Sequence, residues 1–134
     1  MSGQDQNIEI VKKGYEAFMA DDMETLMSLL DDDIEWVHPG ESAISGTYHG
    51  KGELAQYFAR LAEQSATVTP RRFRADGHVV VALTDVTFGD ERGQDADVFT
   101  LRDGKTVRAY VRAVSALMEG VFGRKPVAVR LSTH

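Results

Sequence analysis

RRFRADGHVVVALTDVTFGDERGQDADVFTLRDGKTVRAYVRAV, residues 71–114, decides the fold class. It holds four strand-like runs, at 71–75, 79–88, 95–102 and 106–114, separated by Asp76-Gly77, by residues 90–93 and by Asp103-Gly104. Apolar and polar residues alternate along these runs, as they do when one face of a strand is buried and the other is wet. Asp-Gly supplies the left-handed dihedrals that a two-residue hairpin turn needs, and it occurs here twice. The reading is an antiparallel meander.

Moving toward the N-terminus, the period changes. From 7 to 20 the residues Ile8, Val11, Tyr15, Phe18 and Met19 recur at three and four positions, the stripe of an amphipathic helix. Asp21 and Asp22 are N-cap candidates for a second, shorter helix carrying Met23, Leu26, Met27, Leu29 and Leu30. The acidic run Asp31-Asp32-Asp33 reads as a solvated turn. A short strand follows, with Ile34, Trp36 and His38 on one face and Glu35 and Val37 on the other, until Pro39-Gly40 ends it. Residues 41–52 are glycine-rich and read as a loop. A third helix over 52–64 carries Leu54, Tyr57, Phe58 and Leu61. Beyond the meander, Leu117, Met118, Val121 and Phe122 suit a short C-terminal helix, and 124–134 reads as an extra edge strand or a loose tail. Helices first and a curled antiparallel sheet afterwards describe a single α+β domain over 1–134, the sheet wrapping the first helix and leaving a concave pocket.

Composition excludes several classes of function. The chain has 134 residues, 43% apolar and 27% charged, enough for one core and not for two. A net charge of -6 argues against binding nucleic acid. The absence of cysteine removes disulfides, thiolate nucleophiles and Cys-ligated metals. No apolar run is long enough to cross a membrane, and the polar start MSGQDQN lacks a signal peptide's apolar stretch, so a cytoplasmic location is expected. His49, His78 and His134 have no acidic partner at metal-ligand spacing, and neither a dinucleotide fingerprint nor a P-loop occurs, so neither metal nor cofactor is expected.

IEIVKKGYEAF at 8–18, DDME at 21–24, WVHPG at 36–40, GTYHG at 46–50 and LRDGK at 101–105 together resemble the SnoaL-like branch of the NTF2-like superfamily, over about 7–115. The resemblance implies an α+β cone, with N-terminal helices packed in the concave face of a curved, mainly antiparallel sheet. The superfamily includes polyketide cyclases, ketosteroid isomerases, epoxide hydrolases and members that only bind. Steroid-isomerase roles carried over by position put His38 where the family has its proton-moving aspartate, and Asp97 where it has a protonated aspartate facing the enolate. The family's tyrosine donor falls on Gly14, one residue from Tyr15, and the Asp-Arg-Asp set of the epoxide hydrolases finds no counterpart. The resemblance also implies a homodimer formed through the sheet, whose outward set would be Arg108, Tyr110 and Arg112.

His38 and Asp97 are therefore the candidate catalytic pair. Imidazole exchanges a proton near neutral pH, and a carboxyl group either donates to an enolate when neutral or orients an imidazole when ionised. Apolar surroundings lower the first pKa and raise the second unless the two groups pair. Alternation groups Asp95, Asp97, Phe99 and Leu101 on one face, where a carboxylate is costly unless it meets a partner or a cavity. Tyr15, Trp36, Tyr57, Phe58 and Phe99 are the candidate substrate-binding residues, with Tyr15 either reaching the pocket as a substitute donor or bonded to backbone. The expected function is a cofactor-independent isomerase or cyclase transferring a proton on a hydrophobic carbonyl small molecule. The alternatives are a non-catalytic binding protein for an apolar small molecule and a structural dimer module.

Overall fold

In the computed structural model, which describes residues 3–125, ten elements follow in the order α1 (Gly3–Met19), α2 (Met23–Ser28), β1 (Leu30–His38), β2 (Gly46–His49), α3 (Gly50–Glu63), β3 (Ala66–Asp76), β4 (Val79–Phe88), β5 (Glu91–Arg102), β6 (Lys105–Arg112) and α4 (Ser115–Phe122). The strands form one curved, unclosed sheet in the order β2-β1-β6-β5-β4-β3. Only β1 and β6 run parallel; every other neighbouring pair is antiparallel. This is an α+β domain with the helices on the inner face.

Hairpin turns set the meander. At Asp103-Gly104 both central residues have positive φ, 53° and 78°, as the paired left-handed turn requires, and Asp-Gly tolerates it. At the earlier Asp-Gly the turn is displaced by one residue: Asp76 still pairs with Val79, so the loop is Gly77-His78, with φ 59° at Gly77. Between β4 and β5 the loop is Gly89-Asp90, and the strand resumes at Glu91, four residues earlier than the alternation suggested. β3 likewise starts before Pro70. A proline without an N–H is tolerated there because β3 is an edge strand, and the register shifts between Pro70 and Arg72.

Three further expectations are corrected. Asp31-Asp32-Asp33 lies inside β1, where a register irregularity between Leu30 and Glu35 leaves the acids at the surface, with Asp32 3.2 Å from the Lys51 ammonium. Within the glycine-rich 41–52 stretch, residues 46–49 form β2, paired to the end of β1, and α3 starts at Gly50. Met19 is 44% exposed, because α1 ends there and buries Val11 and Ala17 instead. Asp22 caps α2, its carboxylate accepting from Thr25 N at 3.1 Å. Of the C-terminal stretch, Arg124 bridges to Ser42 and Lys125 N donates to Glu41 O; residues 126–134 lie outside the described residues.

The core lies between the sheet's inner face and the helices. Ile34, Trp36, Val80, Ala82, Phe99, Leu101, Ala109 and Val111 alternate inward from four strands and meet Val11, Leu26, Leu54 and Phe58 from the helices. Each large buried apolar side chain is worth about 1.5–3 kcal/mol of transfer free energy. α4 covers the sheet at Gly93, where a Cβ would come within 2.6 Å of Leu117 Cδ2.

Candidate functional site

An apolar cavity of about 90 Å3 remains between the sheet and the helices. Tyr15, Trp36, His38, Tyr57, Phe58, Asp97 and Phe99 all line it. Trp36 forms part of its wall, with ring centroids 5.2 Å from Phe58, 5.8 Å from Tyr57 and 5.9 Å from Phe99. Such edge-on and tilted contacts hold aromatic walls rigid.

His38 closes β1 and is 1% exposed. Its Nδ1 lies 2.8 Å from the hydroxyl of Tyr57, which reaches down from α3. Burial lowers the His38 pKa to about 4, so the imidazole is neutral at physiological pH. Burial also raises the Tyr57 hydroxyl well above its ordinary value, although the nearby Trp36 indole N–H works in the opposite direction. The Trp36 Nε1 itself makes no hydrogen bond.

Asp97 sits two strands away. Val37 is level with Tyr110 in the parallel β1–β6 pair, and Asp97 is opposite Val111 across β5–β6, so His38 and Asp97 flank Val111 in one row. Two strand spacings separate their backbones by about 10 Å. That distance explains why the two do not pair, so of the two roles considered for Asp97, orienting the imidazole lacks the contact it needs. Instead the Tyr15 hydroxyl donates to Asp97 Oδ2 at 2.6 Å, a side-chain partner where backbone was the other possibility. Asp97 Oδ1 is buried without a partner. Burial drives the Asp97 pKa up, the Tyr15 hydrogen bond opposing it, and burial together with the Asp97 charge drives the Tyr15 hydroxyl up.

Asp95 is the residue that sequence reasoning passed over. It lines the same cavity, its Oδ1 is buried and unpartnered, and burial plus the neighbouring Asp97 charge raise its pKa. The signal was available, since Asp95 shares the Asp97 face two positions earlier. Opposite it on β4, Thr84 is buried with an unpartnered Oγ1. No lysine, arginine or glutamate is among the described residues lining the cavity, and no cluster of metal-ligating side chains occurs among the described residues. The two carboxyl groups thus share an apolar site without a counter-cation, where together they favour keeping a proton.

A SnoaL-like domain is recognised over residues 11–109, and the chain belongs to that family. Among solved structures it is similar to Bal32a from a soil-derived mobile gene cassette, at 23% identity and TM-score 0.78, covering 92% of this chain and 100% of the other. A provisionally assigned ketosteroid isomerase from Kribbella flavida has 20% identity and TM-score 0.76, covering 85% and 82%. These two likenesses are of fold. TerC, crystallised with polyporic acid, is 26% identical with TM-score 0.76, covering 87% and 98%. The search among curated protein sequences returned no match. Among the described residues, no helix is long and apolar enough to cross a membrane.

Proposed function

We propose that this chain is a cofactor-independent isomerase or cyclase that moves a proton on a hydrophobic carbonyl small molecule bound in the cavity. One observation carries the reading: an imidazole held by Tyr57 and a buried carboxyl group held by Tyr15, with a second carboxyl group beside it, face one aromatic-walled cavity. Proton transfer next to a carbonyl needs a group to take the proton and a donor to hold the developing oxyanion, in water-poor surroundings that strengthen both. The co-crystal of TerC with polyporic acid adds support from a relative. The cavity's 90 Å3 is well below the roughly 300–1,000 Å3 of ordinary ligand sites, so a ligand enters by displacing lining side chains, and small single-ring ketones fit before larger ones.

Deuterium exchange tests this across many candidate substrates at once. A panel running from single-ring enones to polyporic acid, incubated with the protein in heavy water, is followed by NMR for label beside the carbonyl. Enzyme-dependent labelling of one class is expected. Binding without labelling across the panel would leave only a binding protein.

The outer face of the sheet is the proposed homodimer surface: Tyr110 and Leu83 are exposed there beside Arg108 and Arg112. Sedimentation equilibrium checks it, with Tyr110→Glu expected to give monomers.

A further inference from the structure

We infer that the two ends of the cavity are polarised opposite to the carried-over assignment: Asp97, held by Tyr15, is the base, and His38, held by Tyr57, is the neutral donor to the carbonyl oxygen. This rests on the proton-transfer reading above.

The tautomer of His38 follows from counting hydrogen bonds. Tyr57 is buried, and among the described residues its one hydrogen-bond partner is His38 Nδ1 at 2.8 Å. If Nδ1 carried the proton, the phenol hydrogen would have no acceptor and the Nε2 lone pair no donor. A buried donor left without an acceptor keeps its whole desolvation penalty. If the phenol donates to Nδ1, the phenol hydrogen and the Nδ1 lone pair satisfy each other, and the one unmet group of the pair is Nε2–H, which a bound carbonyl oxygen satisfies. A histidine fixed in this way is a donor and not a base.

The carboxyl end is ordered by Tyr15. Its hydroxyl donates to Asp97 Oδ2, and a hydrogen bond received by a carboxyl group favours that group's charged form. Asp95 receives no such bond. When the pair holds one proton, the proton is on Asp95 and the charge on Asp97, whose free Oδ1 is the lone pair presented to the ligand. Asp95 is then a positioning residue that limits the pair to a single charge. In the reaction, Asp97 Oδ1 takes the proton from the carbon next to the carbonyl. The released electron pair forms the C=C bond, and the carbonyl π pair moves onto oxygen against His38 Nε2–H. Returning the proton from Asp97 to another carbon restores the carbonyl and the carboxylate, so nothing is consumed.

Two measurements on the wild-type protein decide the polarity whether or not a substrate is known. Long-range 1H–15N NMR is expected to show His38 protonated at Nε2 and bare at Nδ1 at neutral pH; protonation at Nδ1 overturns the donor assignment. Carboxyl 13C titration is expected to show Asp97 ionising before Asp95; the reverse order overturns the base assignment. With a labelled substrate, crossed variants add the kinetic answer. Asn keeps a donor and loses the base, and Gln keeps an N–H donor and cannot take a proton. Asp97→Asn is expected to lose at least about 1,000-fold in exchange and His38→Gln only about tenfold. The opposite ranking returns the base to His38. If the wild type exchanges nothing, the function proposed above fails, while the two NMR measurements still accept or reject the polarity.

Discussion

The two ends of the cavity are built alike and behave oppositely. Each is a titratable side chain at the inner face of the sheet, buried to a few per cent exposure and fixed by a tyrosine from a helix. Burial disfavours charge at both. At His38 that lowers the pKa to about 4; at Asp97 it raises the pKa. One physical cause thus moves the two pKa values in opposite directions. The lesson is that a carboxyl pair and an imidazole can share an apolar cavity without a salt bridge when the sheet keeps them about two strands apart.

The largest way to break this arrangement is to remove the wall between the ends. Trp36 touches Tyr57, Phe58 and Phe99, and Phe99 in turn lies 6.0 Å from Tyr15. Trp36→Ala is expected to cost about 3–5 kcal/mol in a urea melt and to loosen both tyrosine contacts together. A loss under about 1 kcal/mol, far below that range, would mean that the ends are held independently.

Next in size is pH. A buried histidine with a lowered pKa penalises the folded state in acid: the penalty is absent above its unfolded pKa, about 6.5, and grows as pH falls toward 4. The carboxyl pair, with raised pKa values, does the reverse: its penalty is absent below the unfolded pKa, about 3.9, and grows as pH rises toward the folded values. Between about pH 4 and 6.5 the two effects oppose each other, and because two carboxyl groups outweigh one imidazole, stability should fall as pH rises and fall more steeply above about 6.5, by on the order of 2 kcal/mol. His38→Gln should steepen the fall between pH 4 and 6.5, and the Asp95→Asn, Asp97→Asn double variant should reverse its sign there. Thermal melts from pH 4 to 9 read both, and an acidic range that His38→Gln leaves unchanged would locate its cause elsewhere.

Most of the fold was legible, and half of the site. Alternation placed Trp36 and His38 on one face and Asp97 and Phe99 on another strand's inner face because a half-buried strand has no other way to hide apolar residues. The β1–β6 parallel pairing that brings these faces together joins segments some seventy residues apart, and no local pattern encodes it. β2 escaped notice because four residues among glycines are too few to show alternation, and Asp31-Asp32-Asp33 because an irregular register suspends it. The tyrosines were recognised as lining residues, yet what each one holds is a contact across 19 or 82 positions, set by helix docking.

Replacing each tyrosine by phenylalanine sharpens the comparison at smaller cost. Tyr15→Phe removes a donor from Asp97 and should raise the Asp97 pKa further, since the hydrogen bond is what lowers it. Tyr57→Phe should free the His38 tautomer. Each is expected to cost about 0.5–1.5 kcal/mol in the urea melt, with changes in the 13C titration confined to the first variant and in the 15N spectrum to the second. Cross-talk between the spectra would join the two ends into one network.

The smallest effect is expected at the rim. Gly93 on β5 lies two residues before Asp95 and faces Leu117 of α4, so the methyl of Gly93→Ala must displace the Leu117 tip. That tip is flexible, and the cost should be about 1 kcal/mol, rising to about 2–3 kcal/mol for Gly93→Val. Gly93 shares its strand with Asp95 and Asp97, whereas His38 lies beyond β6 on β1, so the perturbation should reach Asp95 first. A 13C shift at Asp95 with an unchanged His38 15N spectrum is the expected pattern. Met118, next to Leu117 on α4, also lines the cavity, and it offers a second route inward. If both spectra respond equally, that route dominates: α4 closes the whole cavity rather than its acidic end, and the two ends are not separable from the rim.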